Sequence, residues 1–254
     1  MRDGGARRWV VLGAAVWQAV TAYLWTVLGW GRPIIESAAE ARTPLTPAGY
    51  AFSIWGVIFA LSLVYAVWGA LPSRAADPLA RRTGWPLAVA FLANGLWQSW
   101  VTFSGRIGAP SVAIILVALF AALAALWAAS RATERDGFAR WVVTPLTGLL
   151  AGWLTAAAFV NVASTATLSG ILPSAGLGAT LTAAMFTLAA GGVAAAILTL
   201  TGSGWYAGAV AWALAAVIAA NLGINAVNVV EVLVAALMLA TIVGLAWVRR
   251  PRAA

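Results

Sequence analysis

Long apolar stretches separated by short polar or charged breaks dominate the chain. A helix needs roughly 20 predominantly apolar residues to cross ~30 Å of hydrocarbon, and the stretches have this length. The breaks contain Gly, Pro and Arg, as in Gly31 to Pro33 and Pro173 to Gly176. The pattern predicts an all-α integral membrane protein with eight transmembrane helices. The predicted spans run from Trp9 to Trp30, Pro47 to Leu71, Trp85 to Ser104, Ile107 to Ala129, Trp141 to Ser169, Leu177 to Thr201, Trp205 to Asn221 and Ala226 to Val248.

Composition agrees with this pattern and narrows the chemistry. The chain is 63% hydrophobic and 9% charged, whereas soluble domains are about half apolar and a quarter charged. We therefore expect the lipid bilayer to surround the protein. The sequence contains no Cys, His or Lys. This composition excludes disulfides, thiolate nucleophiles, imidazole metal sites and a retinal Schiff base.

The arginines predict the topology. A net charge of +8 would suggest a nucleic-acid partner in a soluble protein, but these arginines lie in clusters between uncharged stretches, so no nucleic acid is expected. With cytoplasmic N- and C-termini, twelve of the 15 Arg fall on the inner side and Arg32, Arg42 and Arg106 on the outer side. The sequence therefore predicts a multi-pass protein with both termini in the cytoplasm.

Most tryptophans lie near predicted span ends, where indole rings favour the membrane interface. These predicted interfacial anchors are Trp9, Trp30, Trp68, Trp85, Trp127, Trp141, Trp205 and Trp247. A second group lies deeper, where an indole N–H needs a partner. This group consists of Trp17, Trp55, Trp97, Trp153 and Trp212.

Three segments carry motifs that resemble a known family. Thr43-Pro44-Leu45-Thr46-Pro47 precedes aromatic residues in the second span, and Asn94-Gly95-Leu96-Trp97 lies in the third. Trp153, Ala157 and Asn161 follow in the fifth span at a spacing that places them on one helical face. This set, in this order, resembles the tryptophan-rich sensory protein family (TspO/MBR), relatives of the mitochondrial translocator protein.

The resemblance implies a division of the chain. Residues 1–169 would form a TspO/MBR-like five-helix unit that binds ligands, and residues 170–254 a three-helix Ala/Gly-rich membrane extension. In the family, the equivalent positions of the second and fifth spans line a pocket for porphyrin and drug-like ligands. With the motif residues of the third span added, the predicted ligand-binding residues are Phe52, Trp55, Asn94, Trp97, Trp153, Ala157 and Asn161.

Helix geometry independently places the aromatic residues at similar depths in the outer half of the bundle, which predicts a Trp-lined pocket there. At ~1.5 Å rise per residue, Trp55 lies ~12 Å below Pro47, and Trp97 lies ~10 Å below Ser104 on the same side. Aromatic walls with a few amides suit a planar, mostly apolar ligand such as a tetrapyrrole. Without His or Cys, a metal-free or weakly ligated ring is preferred. The alternative is that the asparagines link helices and the tryptophans fill space.

Two further features lie outside this set. Gly148 to Gly152 and Gly204 to Gly208 are small-xxx-small motifs, which allow close packing within the chain or, alternatively, a homodimer. Glu231, with Asn228 one turn before it, is the one acid outside the loops and tails. An acid within the membrane is a candidate for ion coupling, although a first-turn position near the outer interface favours helix capping.

The leading hypothesis is a non-enzymatic membrane sensor or carrier of a tetrapyrrole-like or other planar hydrophobic molecule. A secondary transporter that uses Glu231 is one alternative, and photo-oxidative breakdown of porphyrin, with Trp55 and Trp153 in redox roles, is another. No general acid, base or metal constellation in the sequence indicates an ordinary enzyme.

Overall fold

The computed structural model describes residues 3–132, 137–223 and 227–249. All regular secondary structure in this part of the chain is helical, which confirms the all-α membrane fold. The helices are α1 (Asp3–Val27), α2 (Ile34–Glu40), α3 (Ile54–Ala70), α4 (Pro78–Ser104), α5 (Ala109–Ser130), α6 (Thr144–Leu168), α7 (Gly176–Thr201), α8 (Gly204–Asn221) and α9 (Val229–Val248). A 3₁₀ turn, Gly49–Ser53, leads into α3, a second, Pro72–Arg74, follows it, and a π-helical turn, Ala139–Val143, leads into α6.

The long helices occupy the predicted positions, and seven of those described are long and apolar enough to cross a membrane. By length and composition the count is thus seven rather than the predicted eight. The remaining long helix is α4, which has 27 residues but carries buried polar side chains at Asn94, Gln98, Ser99 and Thr102. It packs along α1 and α5, so protein surrounds its polar face.

Both ends of α4 are set by local sequence. The Asp77 side chain accepts a hydrogen bond from the Ala80 backbone N–H at 2.9 Å and caps the first turn. Gly105 ends the helix in the left-handed conformation, with φ of 65°. The short connection to α5 then begins at a predicted break.

The helices alternate between two ends of the bundle. At one end, Arg7 of α1 donates to the Ala75 carbonyl at 3.0 Å, in the connection between α3 and α4. Arg249 donates to the Thr199 carbonyl near the end of α7, at 2.6 Å. The opposite end, where α2 lies, is called the α2 end below. Assignment of the α2 end to the outer side of the membrane stays a prediction.

One apolar core extends through the bundle. It includes Leu150 and Leu154 of α6 together with Tyr206 and Val210 of α8, and so it runs across the boundary predicted at residue 169. The division into two units stays a prediction, although the two parts share this core.

The interfacial role predicted for Trp68 is wrong. Its side chain is 9% exposed, and its ring stacks on Phe138 with centroids 4.3 Å apart. The Arg74 guanidinium lies 5.1 Å from the same ring. Nearness to a helix end along the sequence did not reveal that this face of α3 packs against the segment leading into α6.

Candidate functional site

A cavity of about 400 Å³ lies in the half of the bundle toward the α2 end. Side chains from α1 to α6 line it, together with Thr46, Pro47 and Phe52. Its lining contains every residue predicted to bind ligand: Phe52, Trp55, Asn94, Trp97, Trp153, Ala157 and Asn161. The structure therefore brings the predicted set together, and a ligand role for these residues stays a prediction.

Aromatic rings form one wall of the cavity. The Trp153 ring meets Phe52 edge to face at 5.7 Å and Trp55 at 6.3 Å. Trp55 in turn stacks on Phe59, one helical turn later, at 5.3 Å. The 3₁₀ turn before α3 presents Phe52 to the same space. These contacts hold the rings in fixed orientations, which leaves broad apolar faces beside the cavity.

The two asparagines link helices and also line the cavity. Asn94 of α4 donates from Nδ2 to Gln18 Oε1 of α1 at 3.1 Å. Asn161 of α6 accepts at Oδ1 from the Ser111 hydroxyl of α5 at 2.9 Å. The amides thus link helices, as the alternative interpretation predicts. Since each amide has a second polar group, both can still offer a hydrogen bond to the cavity.

Gln18 is an important residue that the sequence analysis missed. It is fully buried, and its Nε2 donates to Ser62 Oγ of α3 at 2.9 Å while Oε1 accepts from Asn94. Its backbone carbonyl accepts from Gln98 Nε2 at 3.2 Å. The available signal was an amide within an otherwise apolar span. Gln18 joins α1, α3 and α4 behind the cavity wall.

The deeper tryptophans differ in how their indole N–H groups are satisfied. Trp212 donates to the Ala51 carbonyl at 2.9 Å, as predicted for a deep indole. The Trp97 Nε1 is buried, and it has no hydrogen-bond partner among the described residues. Because Trp97 lines the cavity, a donor without an acceptor lies in the wall of the candidate site.

The α2 helix covers part of the cavity, a feature that the sequence did not predict. Pro33, Ile34 and Ala38 line the cavity from this side. Arg32 holds α2 by pairing with Glu36 at 3.3 Å and with Glu40. The hydrogen bond from Arg32 lowers the pKa of the Glu40 carboxyl. The Arg32 backbone N–H donates to the Thr102 carbonyl of α4 at 2.8 Å. This hydrogen bond fixes the start of the α2 segment to α4.

Glu231 and Asn228 lie away from the cavity, between α7 and α9. The Asn228 side chain caps α9 by accepting from the Glu231 backbone N–H at 3.2 Å. The Glu231 side chain is fully buried and accepts from the Thr187 hydroxyl of α7, and its Oε2 has no partner within the described chain. The side-chain cap of α9 is thus Asn228, while the Glu231 carboxyl, in the first turn of the helix, is hydrogen-bonded to α7. An ion-coupling role for either residue stays a prediction.

Comparisons with known proteins give one finding. A family model described as TSPO-like protein matches residues 8–248. No curated protein and no solved structure gave a significant match. The helices α7, α8 and α9, which lie outside the five-helix resemblance, fall within the family match. Because the match runs from α1 to the end of α9, the chain belongs to the TSPO-like protein family, and this membership indicates a membrane protein of the sensor or transporter type.

Proposed function

We propose that this protein is a membrane sensor or carrier that binds a planar, mostly apolar ligand of the tetrapyrrole type in the cavity between α1 and α6. The observation that carries the proposal is the cavity itself, which contains all of the predicted binding residues. Its volume of about 400 Å³ falls in the range of roughly 300–1,000 Å³ that is usual for small-molecule sites.

The chemistry of the lining favours this ligand class. Trp55, Phe59 and Trp153 offer aromatic faces to a flat ring system. Asn94, Asn161 and the Trp97 indole can hydrogen-bond polar groups at the edge of such a ring. With no His or Cys in the sequence, the ring would be held by stacking and hydrogen bonds rather than by a His or Cys axial bond to a metal.

Titration of the purified protein in lipid nanodiscs with metal-free protoporphyrin IX tests the proposal. Trp55→Ala and Trp153→Ala should each lose at least ~0.5–1.5 kcal/mol of aromatic contact, which is about a 2- to 12-fold rise in Kd. Trp9→Ala and Trp247→Ala are the matched controls, because these side chains are 63% and 67% exposed outside the cavity. Equal affinity in all four variants would place the ligand elsewhere.

Burial of Glu231 favours a second candidate function, ion-coupled transport. A carboxyl enclosed between α7 and α9 has no charged neighbour along residues 141–248, since the sequence there has no other charged residue. An unpaired charge in such surroundings is strongly disfavoured, so this carboxyl would ionise only with a cation beside it, which is the behaviour that ion coupling requires. Its distance from the cavity lining makes this the weaker of the two functions.

Proteoliposomes decide between the two functions. In the sensor function, Glu231→Gln keeps the side-chain shape and leaves protoporphyrin binding within about twofold of the wild type. In the transporter function, uptake would follow an imposed proton or sodium gradient and would disappear in Glu231→Gln. Thr187→Val is the control, because it removes the hydrogen bond to Glu231 and keeps the carboxyl.

A further inference from the structure

The segment of residues 43–53, called the wall segment here, lies between α2 and α3 and forms one side of the cavity. Thr46, Pro47 and Phe52 of this segment line the cavity. Apart from its 3₁₀ turn, the segment is not helical, so much of its backbone lacks intrahelical hydrogen bonds. Such a backbone beside a bundle of membrane helices must find its partners elsewhere in the protein.

Helix α8 supplies three of these partners. The Ala48 backbone N–H donates to the Ala216 carbonyl at 3.0 Å. The Trp212 indole N–H donates to the Ala51 carbonyl at 2.9 Å, and Asn221 Nδ2 donates to the Pro44 carbonyl at 2.7 Å. These bonds are distributed along the wall segment, from near its beginning into its 3₁₀ turn.

The same helix is also fixed to α6, which lines the cavity next to the wall segment. A Cβ atom built on Gly152 would lie 2.6 Å from the Tyr206 carbonyl oxygen, and one on Gly148 would lie 2.6 Å from Trp205 Cβ. The two backbones can approach this closely because both positions are glycine. The hydroxyls of Thr155 and Tyr206 add a hydrogen bond at 3.1 Å.

We propose that α8 maintains the shape of the ligand cavity, with Trp212 and Asn221 as positioning residues that hold the wall segment against α6. Helix α8 packs on α6, which carries the cavity residues Trp153 and Asn161. Its hydrogen bonds with the wall segment hold Phe52 against the Trp153 ring. Helices beyond the five-helix unit thereby set the shape of the site. This inference rests on the proposed function for its effect on binding, while the restraint on the wall segment can be measured without a ligand.

Two variants remove the side-chain hydrogen bonds and keep most of the packing. Trp212→Phe retains an aromatic ring beside Tyr50, whose ring meets Trp212 at 5.4 Å, and Asn221→Leu keeps a similar side-chain volume. Each lost bond should raise the opening equilibrium of the wall segment about 2- to 12-fold, and the double variant by roughly the product. Trp100→Phe is the matched control, because Trp100 and Trp212 are both 39% exposed and Trp100 lies outside the cavity lining.

Hydrogen exchange of residues 43–53 in nanodiscs, read by mass spectrometry, measures the restraint, and protoporphyrin IX titration measures its consequence. We expect faster exchange confined to the wall segment, with unchanged exchange in α1 to α6. The Kd for protoporphyrin IX should rise by a similar factor. Unchanged exchange in the double variant overturns the proposal, and so does faster exchange with unchanged affinity. If the wild type does not bind the porphyrin, the proposed function fails, and the exchange rates alone still decide whether α8 restrains the wall segment.

Discussion

Replacement of Gly152 by Ala tests the close packing of α6 on α8. The added methyl group would lie 2.6 Å from the Tyr206 carbonyl oxygen and 2.8 Å from Ala209 Cβ. Both atoms belong to the backbone or the first side-chain carbon of α8, so no flexible side chain can move aside. The two helices must separate, and the hydrogen bond between Thr155 and Tyr206 must lengthen.

The size of the effect follows from two opposing terms. Overpacking of a close contact costs about 1–3 kcal/mol. Ala favours a helix over Gly by about 1 kcal/mol, which offsets part of that cost. Gly208→Ala carries only the second term, because a Cβ at Gly208 of α8 has no neighbour within 4 Å. The difference in unfolding free energy between the two variants is therefore the packing term, about 1–3 kcal/mol.

Thermal unfolding in a mild detergent provides the assay. For a chain of this size, 1 kcal/mol shifts Tm by roughly 2–4 °C, so Gly152→Ala should melt about 2–12 °C below Gly208→Ala. Equal melting temperatures for the two variants would refute the close packing of α6 on α8 through glycine. They would also refute the attachment of α8 to α6 on which the proposal for α8 depends.

Three other variants test separate features. Gln18→Leu should lower the unfolding free energy by about 1–3 kcal/mol, measured by thermal unfolding, because it leaves the buried amide of α4 without its acceptor. The pKa of Glu40 is lowered by Arg32, so the pair stabilises α2 above the ordinary carboxyl pKa and this stabilisation is lost as the pH falls through the lowered value. The protection factors of the α2 amides, which correct for the intrinsic pH dependence of exchange, should fall over that acid range in the wild type and stay constant in Arg32→Gln. Trp68→Ala should cost about 3–5 kcal/mol, whereas Trp9→Ala should melt like the wild type, because the Trp68 ring is buried and the Trp9 ring is 63% exposed.

The positions of the helices and part of the cavity lining could be predicted from the sequence, because both depend on spacing along a helix. Trp153, Ala157 and Asn161 recur every four residues, and this spacing fixes a common face before any neighbour is known. The depths of Trp55 and Trp97 likewise follow from the rise per residue. All of these residues line one cavity.

Other features depend on contacts that spacing does not encode. Trp212 bonds to Ala51, 161 residues away, and no periodic pattern marks that pair. Gln18 meets Asn94 across 76 residues in the same way. Glu231 lies in the first turn of α9, as expected, but its burial and its hydrogen bond to Thr187 come from packing against α7, 44 residues away. The features that the sequence did not predict are therefore contacts between residues far apart along the chain.

The polarity of α4 has a consequence for how the protein is made. Asn and Gln side chains disfavour the transfer of a single helix into lipid, and α4 carries buried Asn94 and Gln98. Helix α5 follows after the short turn that starts at Gly105, and it is the most apolar of the described spans. We expect the translocon to release α4 together with α5 as a hairpin. Helix α1 is already in the membrane at that point, and its Gln18 accepts hydrogen bonds from the Asn94 and Gln98 side chains. Biogenesis would then depend on the order of helix synthesis, with α1 present before α4 leaves the ribosome.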